Sequence, residues 1–205
     1  MPPRVILASQ SQGRYRLLRQ AGLDPEVIVS GFDEESIAAR DPAKLSRMLA
    51  EAKGNAVWQG IEGDAILIAC DSVLEFEGRP WGKPESPEAA IRQWYRIRGR
   101  EGVLHTGHHV VVRRGGSESS ALRVASTVVM FADLADDEIE AYAASGEPTW
   151  AAGAFTIDAL GGAFVTGIVG DPHNVVGLSL PLVRQILLDL GIKWYTLWRP
   201  DATTP

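Results

Sequence analysis

The chain has 205 residues, 45% of them hydrophobic and 22% charged, with a net charge of −6. That length and balance suit a globular fold of one sizeable domain over residues 1–205. The acidic charge argues against a general nucleic-acid binder, which normally presents a basic surface, but allows one nucleotide in a local basic pocket.

Cys70 is the one cysteine. No intramolecular disulfide can form, which fits a reducing compartment. The start, Met1-Pro2-Pro3-Arg4, lacks the apolar stretch of a signal peptide, and no run approaches about 18 apolar residues. A cytoplasmic location is expected.

Val5–Ala8 is a short apolar run, read as a buried strand, and Ser9–Gly13 is read as a loop. Arg14, Leu17, Leu18 and Ala21 have helical spacing, and Gly22 stops that helix. Glu26–Ser30 is a second strand running into Asp33-Glu34-Glu35. Asp41-Pro42, an N-cap followed by a first-position proline, opens a helix to about Trp58.

Ala65–Ala69 is an apolar strand delivering Cys70-Asp71-Ser72. It continues as Val73–Phe76 and turns at Glu77-Gly78. Ser86-Pro87 caps a helix that Gly99 ends. Val103–Arg113 and Leu122–Phe131 are strands joined through Arg114-Gly115-Gly116-Ser117. A helix over about Asp136–Ala144, strands at Phe155–Ile157 and Ala163–Val169, and a last helix at Val183–Leu190 complete the chain. The pattern predicts α/β with a mixed twisted sheet, arranged in two lobes that no linker separates.

Four polar clusters fall at the ends of these elements, where α/β proteins build sites. Ser9-Gln10-Ser11-Gln12-Gly13-Arg14 joins a strand to a helix. It offers backbone N–H groups, hydroxyls and an arginine to a phosphate, or it is a capped helix with a surface arginine. Asp33-Glu34-Glu35 supplies oxygen ligands for a hard cation, or is a solvated acidic turn. Lys53 sits at the edge of a helical apolar stripe, where it snorkels or meets an anion.

The fourth cluster is the strongest. Asp71 and Ser72 emerge from a buried strand, and Lys83 follows in Gly82-Lys83-Pro84. A carboxylate there is costly to desolvate unless it meets a metal, a donor or a substrate. Asp71 and Lys83 are expected to act as a pair; a structural Asp71 held by N–H groups is the alternative. His105, His108 and His109 lack a partner at zinc spacing and are read as structural. Cys70 is read as core. The tryptophans are scattered, with Trp194 and Trp198 assigned to packing or an interface.

Taken in order, these clusters resemble the Maf family. Ile6-Leu7-Ala8-Ser9-Gln10-Ser11, Arg14 and Leu17-Leu18 resemble its opening signature. Asp33-Glu34, Leu49-Ala50 with Lys53, Ala69-Cys70-Asp71-Ser72 and Gly82-Lys83-Pro84 follow. Ala144-Ser145-Gly146-Glu147-Pro148, Ala152-Gly153-Ala154-Phe155 and Asn174-Val175-Val176-Gly177-Leu178 are similar to later blocks. The pattern is most similar to actinobacterial members.

The resemblance implies a Maf/Ham1 (ITPase-like) fold with a cleft between two lobes, often in a homodimer. It implies a divalent cation, Mg²⁺ or Mn²⁺, and a nucleoside triphosphate substrate cut to the monophosphate and pyrophosphate, a house-cleaning role that removes modified nucleotides. On this pattern Asp71 is catalytic and Glu34 and Asp71 hold the metal. Ser9, Arg14, Lys53 and Lys83 bind phosphate, and Asp158 contacts the base.

Three departures stand out. Ser11-Gln12-Gly13-Arg14 replaces the family's Ser-Pro-Arg-Arg, Ser72 replaces threonine, and Ile157-Asp158-Ala159 replaces Ile-Gln-Gly. The first and third resemble the 7-methyl-GTP branch. Two other readings are a nucleotidyltransferase, which would need a second substrate, and a non-catalytic nucleotide-binding regulator of cell division.

Overall fold

A computed structural model describes residues 3–199. Its centre is a seven-stranded sheet in the order β2-β1-β3-β5-β6-β7, with β4 also on β3. The strands are β1 Val5–Leu7, β2 Glu26–Val27, β3 Ala65–Phe76, β4 Arg79–Trp81, β5 Glu101–Arg114, β6 Ser117–Phe131 and β7 Val165–Val169. β1 runs parallel to β2 and β3, and the other pairings are antiparallel. The helices are α1 Gln12–Gln20, α2 Pro42–Trp58, α3 Pro87–Ile97, α4 Asp136–Ala144, α5 Pro172–Val176 and α6 Leu180–Asp189. None is long and apolar enough to cross a membrane among the described residues. The expected mixed α/β sheet is present.

The long strands β3, β5 and β6 run through two apolar regions. At the β1 end, Ile66, Ile68 and Cys70 of β3 pack with Leu17, Leu18, Val183, Ile186 and Leu187 from α1 and α6. Leu67 and Ala69, alternating to the other face, pack with Val57 and Trp58 of α2. At the far end, Leu74 and Phe76 join Trp94 of α3, Ile139 and Tyr142 of α4, and Phe131. Cys70 is core, as expected; burial pushes its thiol up to about 12, so it stays protonated.

Asp41, Ser86 and Ser179 cap α2, α3 and α6, each side chain accepting from a backbone N–H of the first turn. Several expected elements differ. Phe155–Ile157 is not a strand. Gly153 (φ 72°) and Ala154 (φ 62°) turn the chain just before it, and Phe155 plugs the far core against Phe131 at 5.0 Å. β4 was unexpected because Pro80 cannot donate to a ladder, and it lies on the sheet's edge, where proline is tolerated. α5 was also unexpected, at five residues too short for a periodic signal. β5 and β6 extend to a tighter turn than expected, Arg114 pairing with Ser117.

Candidate active site

The site lies at a gap in the edge of β3. β1 pairs with β3 only as far as Leu7 opposite Ile68, and β4, running back along β3, ends at Trp81 opposite Leu74. Between them, residues 69–73 have no strand neighbour on that side. Successive side chains of a strand point to opposite faces, but at an open edge both faces reach the same space. Asp71 and Ser72 therefore line one cleft of about 1030 Å³. All seven residues singled out in the sequence line it: Ser9, Arg14, Glu34, Lys53, Asp71, Lys83 and Asp158.

Asp71 is 6% exposed. Its carboxylate pairs with Lys53 Nζ, which also lies 2.8 Å from Glu34 Oε1. The cationic partner of Asp71 is thus Lys53, not the expected Lys83, which is exposed on the cleft wall. Lys53 reaches Asp71 because α2 lies directly on the sheet. Opposite Asp71 in the ladder stands Gly107, where a Cβ would come within 2.3 Å of the Ser46 carbonyl oxygen.

Burial raises the Asp71 pKa above the ordinary aspartate range, opposed by the charges of Lys53 and Arg14. Burial also acts to raise Glu34, but the Lys53 hydrogen bond, with Lys53, Lys83 and Arg14 charge, outweighs it and holds Glu34 low. Two neighbouring carboxylates are thus pushed in opposite directions, the arrangement that fits one for proton transfer and leaves the other charged.

Arg14 is held on three sides. Its Nε donates to Gly177 O at 2.7 Å, Nη1 to Ser9 Oγ at 3.0 Å and Nη2 to Ser72 Oγ at 3.1 Å. Ser11 caps α1 by accepting from Arg14 N, so Gln12 and Gly13 are helical, not loop as expected. Ser72 Oγ lies 3.0 Å from Thr106 Oγ1, which donates to Asn174 O. Asn174, fully buried, donates in turn to Leu104 O and Thr127 Oγ1. Thr106 and Asn174 were missed as residues supporting the site. Thr106 carried no signal, and Asn174 appeared only within a similar block.

Asp158 lines the cleft beside α1, its Oδ2 2.8 Å from Arg16 Nη2 of that helix. The turn that follows it is capped by another residue. Buried Glu147 accepts from Leu160 N at 3.0 Å, Gly161 N at 2.8 Å, Tyr142 Oη at 2.9 Å and Thr156 Oγ1 at 2.5 Å. Burial acts to raise its pKa, and these donors together hold it below the usual value. Glu147 was quoted in the sequence only as part of a block; its acceptor role depends on Tyr142 and Thr156 folding around it.

The three histidines occupy structural positions. His105 bridges Ser126 Oγ and Glu75 Oε2, both at 2.8 Å. His108 donates from Nδ1 to Thr106 O and accepts at Nε2 from Ser179 N, and burial pushes its pKa down to about 4. His109 packs under α2 beside Gly54. Among the described residues no three His, Cys, Asp or Glu side chains gather into a metal-holding group.

The Maf-like protein family matches residues 4–190. A nucleoside triphosphate pyrophosphatase of Streptomyces coelicolor is 52% identical over 198 residues, 96% of this chain and 95% of that one. Another, of Cutibacterium acnes, is 50% identical over 202 residues, 94% of this chain and 93% of that one. The Ham1 protein of Staphylococcus aureus aligns structurally with 18% identity and a TM-score of 0.42, over 63% of this chain and 72% of that chain. Sharing its sequence nearly end to end with these pyrophosphatases, the chain belongs to the Maf family.

Proposed function

We propose that the protein is a hydrolase that cuts a nucleoside triphosphate to the monophosphate and pyrophosphate, and that its preferred base is a guanine, N7-methylated. The observation that carries the reaction is the convergence of buried Asp71 with Lys53, Glu34 and Arg14 at the open edge of β3. The name shared by the relatives supports the same reading.

The attacking oxygen is water. Its bond to the α-phosphorus forms as the bond from that phosphorus to the α–β bridging oxygen breaks, pyrophosphate leaves, and the water's proton passes to Asp71. A raised pKa suits Asp71 to accept it. Arg14, Lys53 and Lys83 stabilise the charge on the phosphates, and Ser9 donates a hydrogen bond to a phosphate oxygen. The carboxylates of Glu34 and Asp71 meet at one ammonium. Glu34 and Asp71 are the residues that would hold Mg²⁺ or Mn²⁺, and the ion would supply charge neutralisation and acidify the water.

Asp158 supports the guanine reading. Guanine presents two adjacent donors, N1–H and the exocyclic amine, and a carboxylate accepts from both. Uracil and thymine would turn a carbonyl oxygen toward it. The test is pyrophosphate release from a panel of triphosphates, with 7-methyl-GTP and UTP in competition on the parent and on Asp158→Gln. The variant should shift the ratio of kcat/KM toward UTP. An unchanged ratio would sink the base assignment, and no release from any triphosphate would sink the reaction.

A further inference from the structure

Five of the six tryptophans meet another ring, a guanidinium or the core. Trp58 lies under the Arg113 guanidinium at 4.4 Å. Trp81 sits 4.9 Å from Phe76 and 5.0 Å from Arg96. Trp94 is fully buried, Trp194 packs on the core beside α6, and Trp198 lies 6.5 Å from Tyr195. Trp150 differs. It is 59% exposed, lies on the wall of the nucleotide cleft, and its indole makes no hydrogen bond, ion pair or ring contact among the described residues.

The backbone beneath it is fixed. Trp150 ends the 3₁₀ turn Glu147–Trp150, whose first residue is the carboxylate held by four donors. Thr149 Oγ1 donates to Gly146 O at 2.7 Å, and the next turn is tied to the Lys83 loop through Gly153 N and Gly82 O at 3.3 Å. A free indole on an anchored turn, facing a cleft, offers a flat apolar surface at little ordering cost. Farther along the same segment, Phe155, Thr156 and Asp158 line the cleft as well.

We infer that Trp150 is the surface on which the substrate's base stacks, and that its indole, with Asp158 at the ring's edge, selects a planar base carrying positive charge. This rests on the cleft being the nucleotide site. An indole face carries the negative side of its quadrupole and attracts a cation more strongly than any other aromatic side chain. N7-methylation makes guanine cationic while leaving its face flat. The indole and the carboxylate therefore favour the same property from two directions, one through the face and one through the edge. A neutral pyrimidine gains less from either.

The test uses Trp150→Ala and Trp150→Phe in the full chain, with KM and kcat for 7-methyl-GTP, GTP and UTP, and inhibition by inorganic tripolyphosphate. Base–aromatic stacking corresponds to roughly 5- to 150-fold in affinity. Trp150→Ala should raise KM for 7-methyl-GTP by that order and leave kcat within about twofold, with smaller increases for GTP and UTP. Trp150→Phe should recover most of the loss, and tripolyphosphate, which has no base, should inhibit all forms equally. An unchanged KM, an equal rise for all bases, or weakened tripolyphosphate inhibition would overturn the inference. Calorimetric binding of 7-methyl-GMP separates it from the catalytic reading. Weaker binding to Trp150→Ala supports the platform even in a protein that releases no pyrophosphate, and unchanged binding refutes it even in one that does.

Discussion

Gly177 holds Arg14 in place with its carbonyl oxygen and makes room for it by lacking a side chain. The Nε–O distance is 2.7 Å, and a Cβ on Gly177 would come within 3.0 Å of the same nitrogen. Its φ of 115° is also one that L side chains rarely adopt. Gly177→Ala should therefore strain the C-cap of α5 and push Arg14 away from Ser9 and Ser72. The expected result is a fall in turnover of tenfold or more, on the order of 1–3 kcal/mol of strain and displacement, with a thermal midpoint only a few degrees lower. Full activity in Gly177→Ala would show that the Arg14 position is not needed.

Asp71→Asn keeps the shape of the site and removes its buried charge. Loss of a general base costs about 10²–10⁴-fold in rate, so the purified variant should be nearly inactive while remaining folded by circular dichroism. Hydrolysis near the parent rate would return Asp71 to a structural role.

Lys53→Met separates the charge of Lys53 from its apolar stem. Lys53 lowers the Asp71 pKa, against the dominant effect of burial. Without it that pKa rises further, and the acidic limb of the pH–rate profile should move to higher pH. Turnover should also fall. A limb that stays in place would mean that the Lys53–Asp71 pair does not tune the base.

His108 couples stability to pH. Its folded pKa is pushed down to about 4 from 6.5 by burial. The unfolded chain therefore binds a proton that the folded chain refuses, so this contribution is full above pH 6.5 and is lost as pH falls toward 4. The shift corresponds to on the order of 3 kcal/mol. His108→Gln should be less stable at pH 7, leaving Ser179 N without its ring acceptor, but should lose less between pH 6.5 and 4. Parallel denaturation curves for both proteins over that range would contradict this.

Glu147→Gln turns an amide N–H toward donors. One oxygen can still accept from Thr156 and Gly161, but Leu160 N would face a donor. The cost is about 1–3 kcal/mol, or several degrees in thermal midpoint for a chain of this size. A midpoint within a degree of the parent would show that the turn holds without the carboxylate.

Much of the site was legible because it follows from burial. An apolar run ending in Asp71 forces the question of what meets the charge, while Lys53 at the edge of a helical stripe left snorkelling and an anion both open. Their pairing was not legible. Lys83 is nearer in sequence, while Lys53 reaches Asp71 only because Gly107 brings α2 onto the sheet. Arg14 was legible as a phosphate candidate, but its three anchors come from loops and strands far apart in the chain. Asp158 was read as a base contact, and the turn after it had no assigned cap. The cap belongs to Glu147, leaving Asp158 paired with Arg16 at the cleft. The fold was legible where periodicity was long, in α2 and β5. It failed at Phe155–Ile157, where two apolar residues flanking a threonine fit a strand and a core plug equally well.

The open edge of β3 has a mechanical consequence. The strand carries Asp71 and Ser72 at its middle, and its two ends are clamped in different cores by the same unbroken ladder with β5. No joint separates the walls of the cleft along that ladder. Drawing the walls together would bend the beam on which the carboxylate stands, so the width of the opening and the aim of Asp71 are one variable. A ligand that bridges from Arg14 to the Trp150 turn would thus set the position of Asp71 as it sets the gap.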